Sequence, residues 1–148
     1  MVAARSFIHR STDGGQSWQE TWQDSLIVQQ LVAHPYNFDT LFAAVHSRGV
    51  LRSFDGGLSW HSALDIQATS IERIEMAISP SDPRHLYFAA DTKEYQSLLF
   101  YSDDGGDNWL EVRGKDQQHD FGRWLGGQGW YDNTIAVHPF DPLSLIHI

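Results

Sequence analysis

The chain has 148 residues, 41% hydrophobic and 20% charged, the balance of a single folded domain rather than of a disordered or membrane-embedded chain. Its net charge of -9, without clustered Lys and Arg, removes nucleic acid as a partner, because phosphate binding needs basic clusters that release counterions. The absence of Cys removes disulfides, thiolate metal sites and cysteine nucleophiles together, and leaves the compartment undetermined.

Residues 1–15, MVAARSFIHRSTDGG, lack the apolar core of about 7 to 15 residues that a secretory signal requires. No apolar run approaches the ~18 residues needed to span a bilayer. Met1 precedes the string RSTDGGQSW (10–18) so closely that the chain is expected to start inside a repeat. That string returns as RSFDGGLSW (52–60) and YSDDGGDNW (101–109), with Asp13, Asp55 and Asp104 separated by 42 and 49 residues. Periods of this length mean propeller blades or solenoid units.

A second landmark keeps step with the first. LVAHPYNFDTLFAAV (31–45), MAISPSDPRHLYFAA (76–90) and IAVHPFDPLSLIHI (135–148) each read as an apolar run, a Pro-containing polar turn and, in the first two, a second apolar run. Short β-prone runs bounded by Pro, Gly, Asn and Asp are strands joined by tight turns. The unit 26–64 therefore holds four, near 28–33, 41–45, 49–53 and 59–64, which describes one blade of a β-propeller. No segment sustains a 3.6-residue apolar period, so helical repeats fit poorly. The expected organisation is an all-β, incomplete propeller of four-stranded antiparallel blades: 1–25 ending one blade, 26–66 and 67–115 forming two, and 116–148 starting the next. The closing PLSLIHI alternates as a native strand would, and equally fits read-through at the end of an assembled sequence.

In each Ser-x-Asp-Gly-Gly turn the carboxylate can accept hydrogen bonds from exposed N–H groups, and glycine supplies positive φ. The Trp that follows is expected to start the fourth strand and bury its ring between sheets; Trp60→Ala would then cost about 3 to 5 kcal/mol. The pattern Ser-x-Asp-x-Gly-x-x-Trp resembles the Asp-box, or BNR, repeat of sialidases, sortilin-type receptors, xyloglucan-cleaving glycosidases and a photosystem II assembly factor. Three copies match it: Ser11, Asp13, Gly15 and Trp18; Ser53, Asp55, Gly57 and Trp60; Ser102, Asp104, Gly106 and Trp109. The resemblance implies a β-propeller whose boxes are structural and lie away from the ligand site, in an extracellular or periplasmic setting.

In an up-and-down meander the proline turns and the Asp-Gly-Gly turns share one face. The opposite face carries 46–49, 62–70, 91–98 and the long 110–131, LEVRGKDQQHDFGRWLGGQGWY. Loops of that length without structure of their own are more often functional than merely connecting. The last one gathers Lys115 and Asp116 with the candidate ligand-binding residues His119, Asp120, Arg123, Trp124, Trp130, Tyr131 and Asp132. Aromatic planes with Arg or Asp beside them suit sugar or peptide ligands. The alternative is that Trp124 and Trp130 tuck beneath the loop as a satellite core. GGQGWYDNTIAV (126–137) also resembles blade openings of bacterial glycosidase-like BNR proteins.

No cofactor is expected and no metal site is assigned. The eight histidines show no ligand spacing, DDGGDN (103–108) lacks the alternating oxygens and terminal Glu of an EF-hand loop, and GGQGWYD (126–132) puts Tyr131 where a calcium nonapeptide wants Asp.

The leading expectation is a non-catalytic recognition or scaffold propeller that binds glycan or protein through the loops opposite the boxes. Self-association through unclosed blade edges would accompany it. The alternative is a glycoside hydrolase with its catalytic set partly on blades outside this chain, using a carboxylate pair drawn from Asp65, Asp91, Glu94, Asp116, Asp120 and Asp132. A sialidase variant is weakest, because the Phe-Arg-Ile-Pro signature is absent and only Arg48, Arg113 and Arg123 are placed near that face. A photosystem-type assembly factor rests on fold analogy alone.

Overall fold

A computed structural model of the chain describes residues 1–66, 71–94, 96–112 and 121–147. Its strands form four antiparallel sheets in chain order. The first holds β1 (Val2–Ala4), β2 (Phe7–Arg10) and β3 (Gln19–Gln23). The second holds β4 (Val28–Ala33), β5 (Leu41–Val45), β6 (Gly49–Ser53) and β7 (His61–Asp65). The third holds β8 (Ile71–Ile78), β9 (Leu86–Thr92), β10 (Ser97–Ser102) and β11 (Leu110–Glu111). The fourth pairs β12 (Ile135–His138) with β13 (Asp141–His147). Each four-stranded sheet is a simple meander, every strand pairing with its neighbour in sequence. The fold is all-β with sheets of propeller type left unclosed, as the repeat implied.

Period-2 alternation explains the stacking. In LFAAV of β5, Phe42 and Ala44 face the third sheet, while Ala43 and Val45 face the first. In β9, Leu86, Phe88 and Ala90 join the core with the second sheet, and Tyr87 and Ala89 join Ile135 of the fourth. Both strands are buried along their whole length because they carry apolar side chains on both faces.

Polar side chains also join the sheets. The edge strand β8 would leave backbone groups unpaired, but the Gln29 amide accepts from the Ile74 N–H and donates to the Glu72 carbonyl. Gln30 repeats this with the N–H and carbonyl of Met76, at 2.6 and 3.3 Å. Arg10 Nε donates to the Gly56 carbonyl at 2.8 Å and Arg52 Nη1 to the Gly105 carbonyl at 2.8 Å. Each arginine immediately precedes a box serine and grips the Asp-Gly-Gly loop of the next sheet. Tyr101 occupies the third such position and hydrogen-bonds His85 instead, at 2.6 Å.

Two expectations need correction. The tryptophans do not start strands: Trp18, Trp60 and Trp109 each sit one residue before β3, β7 and β11. Nor do all three bury their rings. Trp60 packs against the core between the first and second sheets and Trp109 against the core between the second and third, whereas Trp18 is 46% exposed. Each ring leans on the preceding sheet, and no sheet precedes β1 in this chain. Because Trp60 is partly rather than fully buried, its replacement by alanine is expected to cost about 3 kcal/mol, the lower end of the expected range, as a minor part of the transfer and cavity contributions is absent. Urea titration of Trp60→Ala checks this; a loss above ~4 kcal/mol would mean a fully enclosed ring.

Candidate functional site

The three Asp-Gly-Gly loops share one hydrogen-bond pattern. The Ser53 hydroxyl donates to Asp55 Oδ1 at 2.8 Å and accepts from the Gly57 N–H at 2.8 Å. Asp55 Oδ1 also accepts from the Leu58 and Ser59 N–H groups, both at 2.9 Å, and Oδ2 accepts from the Ser59 hydroxyl at 2.6 Å. Asp13 takes the Ser11 and Ser17 hydroxyls and the Ser17 N–H, while Asp104 takes the Ser102 hydroxyl, the Asp107 and Asn108 N–H groups and the Asn108 amide. Both glycines of every loop have positive φ, between 68° and 89°, so L side chains there would be strained. The Gly56 and Gly105 N–H groups donate to the carbonyls of Asp39 and Arg84, which places the loops beside the proline turns on one face.

These bonds favour the ionised carboxylates. The Ser17 and Ser59 hydroxyls, then their N–H groups, hold Asp13 and Asp55 well below the usual carboxylate range, and the Asn108 backbone and side chain hold Asp104 down at about 2. A carboxylate whose folded value is lowered contributes stability that is present above its ordinary value of 3.8 and is lost as pH falls through the folded value. The melting temperature is therefore expected to fall with pH below 3.8, and Asp55→Asn to lower it at neutral pH while flattening that acid limb. An unchanged limb in Asp55→Asn would remove the carboxylate from the loop's energetics.

Among its described residues the opposite face carries regular structure within segments read as loops. The 91–98 segment is shortened, because Asp91 and Thr92 end β9 while Ser97 and Leu98 begin β10. Residues 121–132 carry a 3-10 turn (Phe121–Arg123) and a one-turn helix, α1 (Gly129–Asp132). Of the candidate binding residues, His119 and Asp120 lie outside the described residues, as do Lys115, Asp116 and Arg113. Trp124 packs into the core formed with Tyr87, Leu99 and Ile135. Trp130 and Tyr131 are 54% and 57% exposed, with ring centroids 5.2 Å apart, and Arg123 and Asp132 are exposed beside them in sequence. The two tryptophans thus divide between the two readings: one anchors and the other faces solvent.

Among the glycosidase carboxylates, Asp65 is exposed at the end of β7 and Glu94 is exposed just after β9. Asp91 is fully buried, 0% exposed, and neither of its oxygens has a hydrogen-bond partner. Burial pushes its carboxyl upward, the Glu72 charge adds to this, and the Thr92 backbone opposes it. A group so enclosed cannot meet a substrate at the mouth. Arg48 is bound to Asp24 at 2.8 Å, which occupies one of the three arginines expected near this face.

Residues that motif reading missed are those holding 124–133 in place: Ser97, whose hydroxyl accepts from the Leu125 N–H at 2.9 Å, and Asn133, whose amide donates to the Ala89 carbonyl at 3.3 Å. The only sequence signal for Asn133 is its position just before the apolar start of β12. The inter-sheet grip of Arg10 and Arg52 did leave a signal, the Arg-Ser pair in two of the three boxes.

The family model described as "Sortilin, neurotensin receptor 3" (Sortilin-Vps10) matches residues 6–137. The chain belongs to the Sortilin-Vps10 family. A curated relative in this family, vacuolar protein sorting/targeting protein 10 of Schizosaccharomyces japonicus, is 36% identical over 64 residues, 42% of the chain and 4% of that protein. Solved structures share the propeller fold at low identity. An ancestral GH74 enzyme matches with TM-score 0.57 and 21% identity, over 70% of this chain and 15% of its own. The NanB sialidase from Streptococcus pneumoniae matches with TM-score 0.53 and 17% identity, over 88% and 21%. YCF48 bound to D1 peptide matches with TM-score 0.51 and 10% identity, over 74% and 30%. The Sortilin-Vps10 chain thus spans a small part of the length of each of these relatives, and at these identities the three structures speak to fold alone.

Proposed function

We propose that this chain forms part of a non-catalytic recognition propeller that binds a protein or peptide ligand through the face opposite the Asp-Gly-Gly loops, with glycan as the second ligand class. The observation that carries the reading is the exposed Trp130–Tyr131 pair on α1, with exposed Asp132 next in sequence and exposed Arg123 earlier in the same segment, which is held down by Trp124 in the core and by buried Leu125 against Gly129. Exposed aromatic rings on a rigid element bury large area at little entropic cost, and nearby charges fix polar groups of the ligand. Membership of the Sortilin-Vps10 family favours a protein ligand. His119 and Asp120 belong to this proposed surface by sequence position.

The same reading takes the box residues as hairpin fasteners, the repeats as 1–25, 26–66, 67–115 and 116–148, and the setting as extracytoplasmic. Exposed strand edges favour self-association of the isolated chain. Among the described residues no helix is long and apolar enough to cross a membrane.

Screening the protein against a peptide library and a glycan array, with a parallel assay for released sugar, tests the ligand class. Saturable peptide binding without turnover is the expected result. Turnover that Asp132→Asn abolishes would overturn it in favour of a glycoside hydrolase.

A further inference from the structure

Residues 124–133 are seated on the third sheet around a single buried corner. The Cα of Gly129 lies so close to Asp91 that an added Cβ would stand 2.9 Å from Asp91 Cγ and 2.6 Å from Leu125 Cβ. Asn133, 2% exposed, donates to the carbonyl of Ala89, two residues before Asp91 on the same face of β9. Its Oδ1 has no partner, and neither has either oxygen of Asp91. Two nearby donors are spent, the Thr92 N–H on the Gln96 carbonyl and the Leu125 N–H on the hydroxyl of Ser97, which stands opposite Asp91 in the β9–β10 register, while the buried Nε of Arg73 makes no hydrogen bond.

Among the described residues, the charged groups around the corner do not neutralise a carboxylate. Arg73 stands opposite Asp91 in the β8–β9 register, but its guanidinium is turned to Glu75 at 2.5 Å. Glu72, from the same strand, raises Asp91 rather than lowering it. Among the described residues of the covering segment, Arg123 and Asp132 are exposed. An ionised, unpaired carboxylate in such a place is costly, whereas a carboxylic acid is a donor and needs one acceptor, and Asn133 Oδ1 is an acceptor without a partner among the described residues of the corner.

We propose that Asp91 in its protonated form is a positioning residue that latches the 124–133 segment to the third sheet, so that presentation of the Trp130–Tyr131 pair is coupled to proton uptake. A group whose folded value lies above its ordinary 3.8 contributes stability that is fully present below 3.8 and is lost as pH rises through the folded value. The segment is therefore seated most firmly below 3.8 and loosens as pH rises through the folded value of Asp91. The box carboxylates act in the opposite sense and only below 3.8, so the two effects occupy different pH ranges.

The coupling to ligand rests on the recognition reading, but the latch itself does not, and its test reads the segment rather than the ligand. Hydrogen exchange of the 124–133 amides, corrected for the intrinsic rate, is measured from about pH 4 to about pH 8 in the full chain and in Asp91→Asn. Protection in the unaltered chain is expected to fall by about tenfold for each unit by which Asp91 is raised. Asp91→Asn, whose amide can donate permanently, is expected to be pH-independent and at least as protected as the acid form. Carbon-13 titration of the carboxyl groups reads Asp91 directly without any substitution and decides the matter should Asp91→Asn not fold. Asp91 titrating at or below 3.8, or Asp91→Asn losing protection at every pH, would overturn the latch. Loss of binding at Trp130 with the exchange profile intact would overturn only the ligand reading.

Discussion

Phe88→Ala is expected to lower the unfolding free energy by about 3 to 5 kcal/mol. The ring is fully buried in the core between the second and third sheets, edge-on to Phe100 with centroids 5.9 Å apart. Phe42 and Val50 reach it from the opposite sheet, and β9 is buried on both faces, so no side chain can swing in from solvent to fill the void. Urea unfolding of Phe88→Ala beside Phe140→Ala, an exposed ring of the same chemistry, separates packing from composition. The second substitution is expected to stay within about 0.5 kcal/mol of the unaltered chain. Equal effects would mean that the sheets are not stacked through this core.

Gly49→Ala is the second large effect, and it acts through the backbone. Gly49 opens β6 with φ of 122°, and a Cβ there would stand 2.2 Å from the Leu64 carbonyl oxygen and 3.3 Å from the Ile66 nitrogen. Both are backbone atoms, one in β7 and one just past its end, held by the Gly49–Asp65 pairing and by the Ile66 N–H donated to the Arg48 carbonyl at 2.8 Å. Neither can retreat without opening the β6–β7 ladder, so a loss of about 3 kcal/mol or more is expected. Gly127→Ala serves as the control, since nothing lies within 4 Å of its added Cβ. A Gly49→Ala variant as stable as Gly127→Ala would place the β6–β7 pairing in a different register.

The repeat made much of the fold legible. LFAAV and LYFAA were readable as strands because β-branched and aromatic runs bounded by Pro and Gly have few other uses, and the period of the boxes supplied the sheet count. The burial of Trp18 was not legible, because a ring's environment depends on the sheet packed against it, and alternation within one strand carries no such information. The Gln29 and Gln30 bridges were invisible for a similar reason: a glutamine in a strand reads as solvent-facing until a neighbouring edge is known. At the candidate site the aromatic richness of 110–131 was plain, but its division was not. Trp124 and Trp130 are alike as letters, and only the seating of Leu125 and Asn133 on β9 and β10 turns one inward and leaves the other out. Asp91 was counted among mouth carboxylates because motif reading placed it in a loop, whereas it continues β9 beneath the covering segment.

The face that recognises ligand is decided most directly by comparing affinities of Trp130→Ala, Tyr131→Ala and Asp55→Asn for one peptide found to bind. The two aromatic variants are expected to keep the melting temperature of the unaltered chain and lose about 2 kcal/mol or more of binding, while Asp55→Asn loses stability and keeps its affinity below the melting transition. Affinity lost in Asp55→Asn and retained in both aromatic variants would move recognition to the Asp-Gly-Gly side and contradict the account.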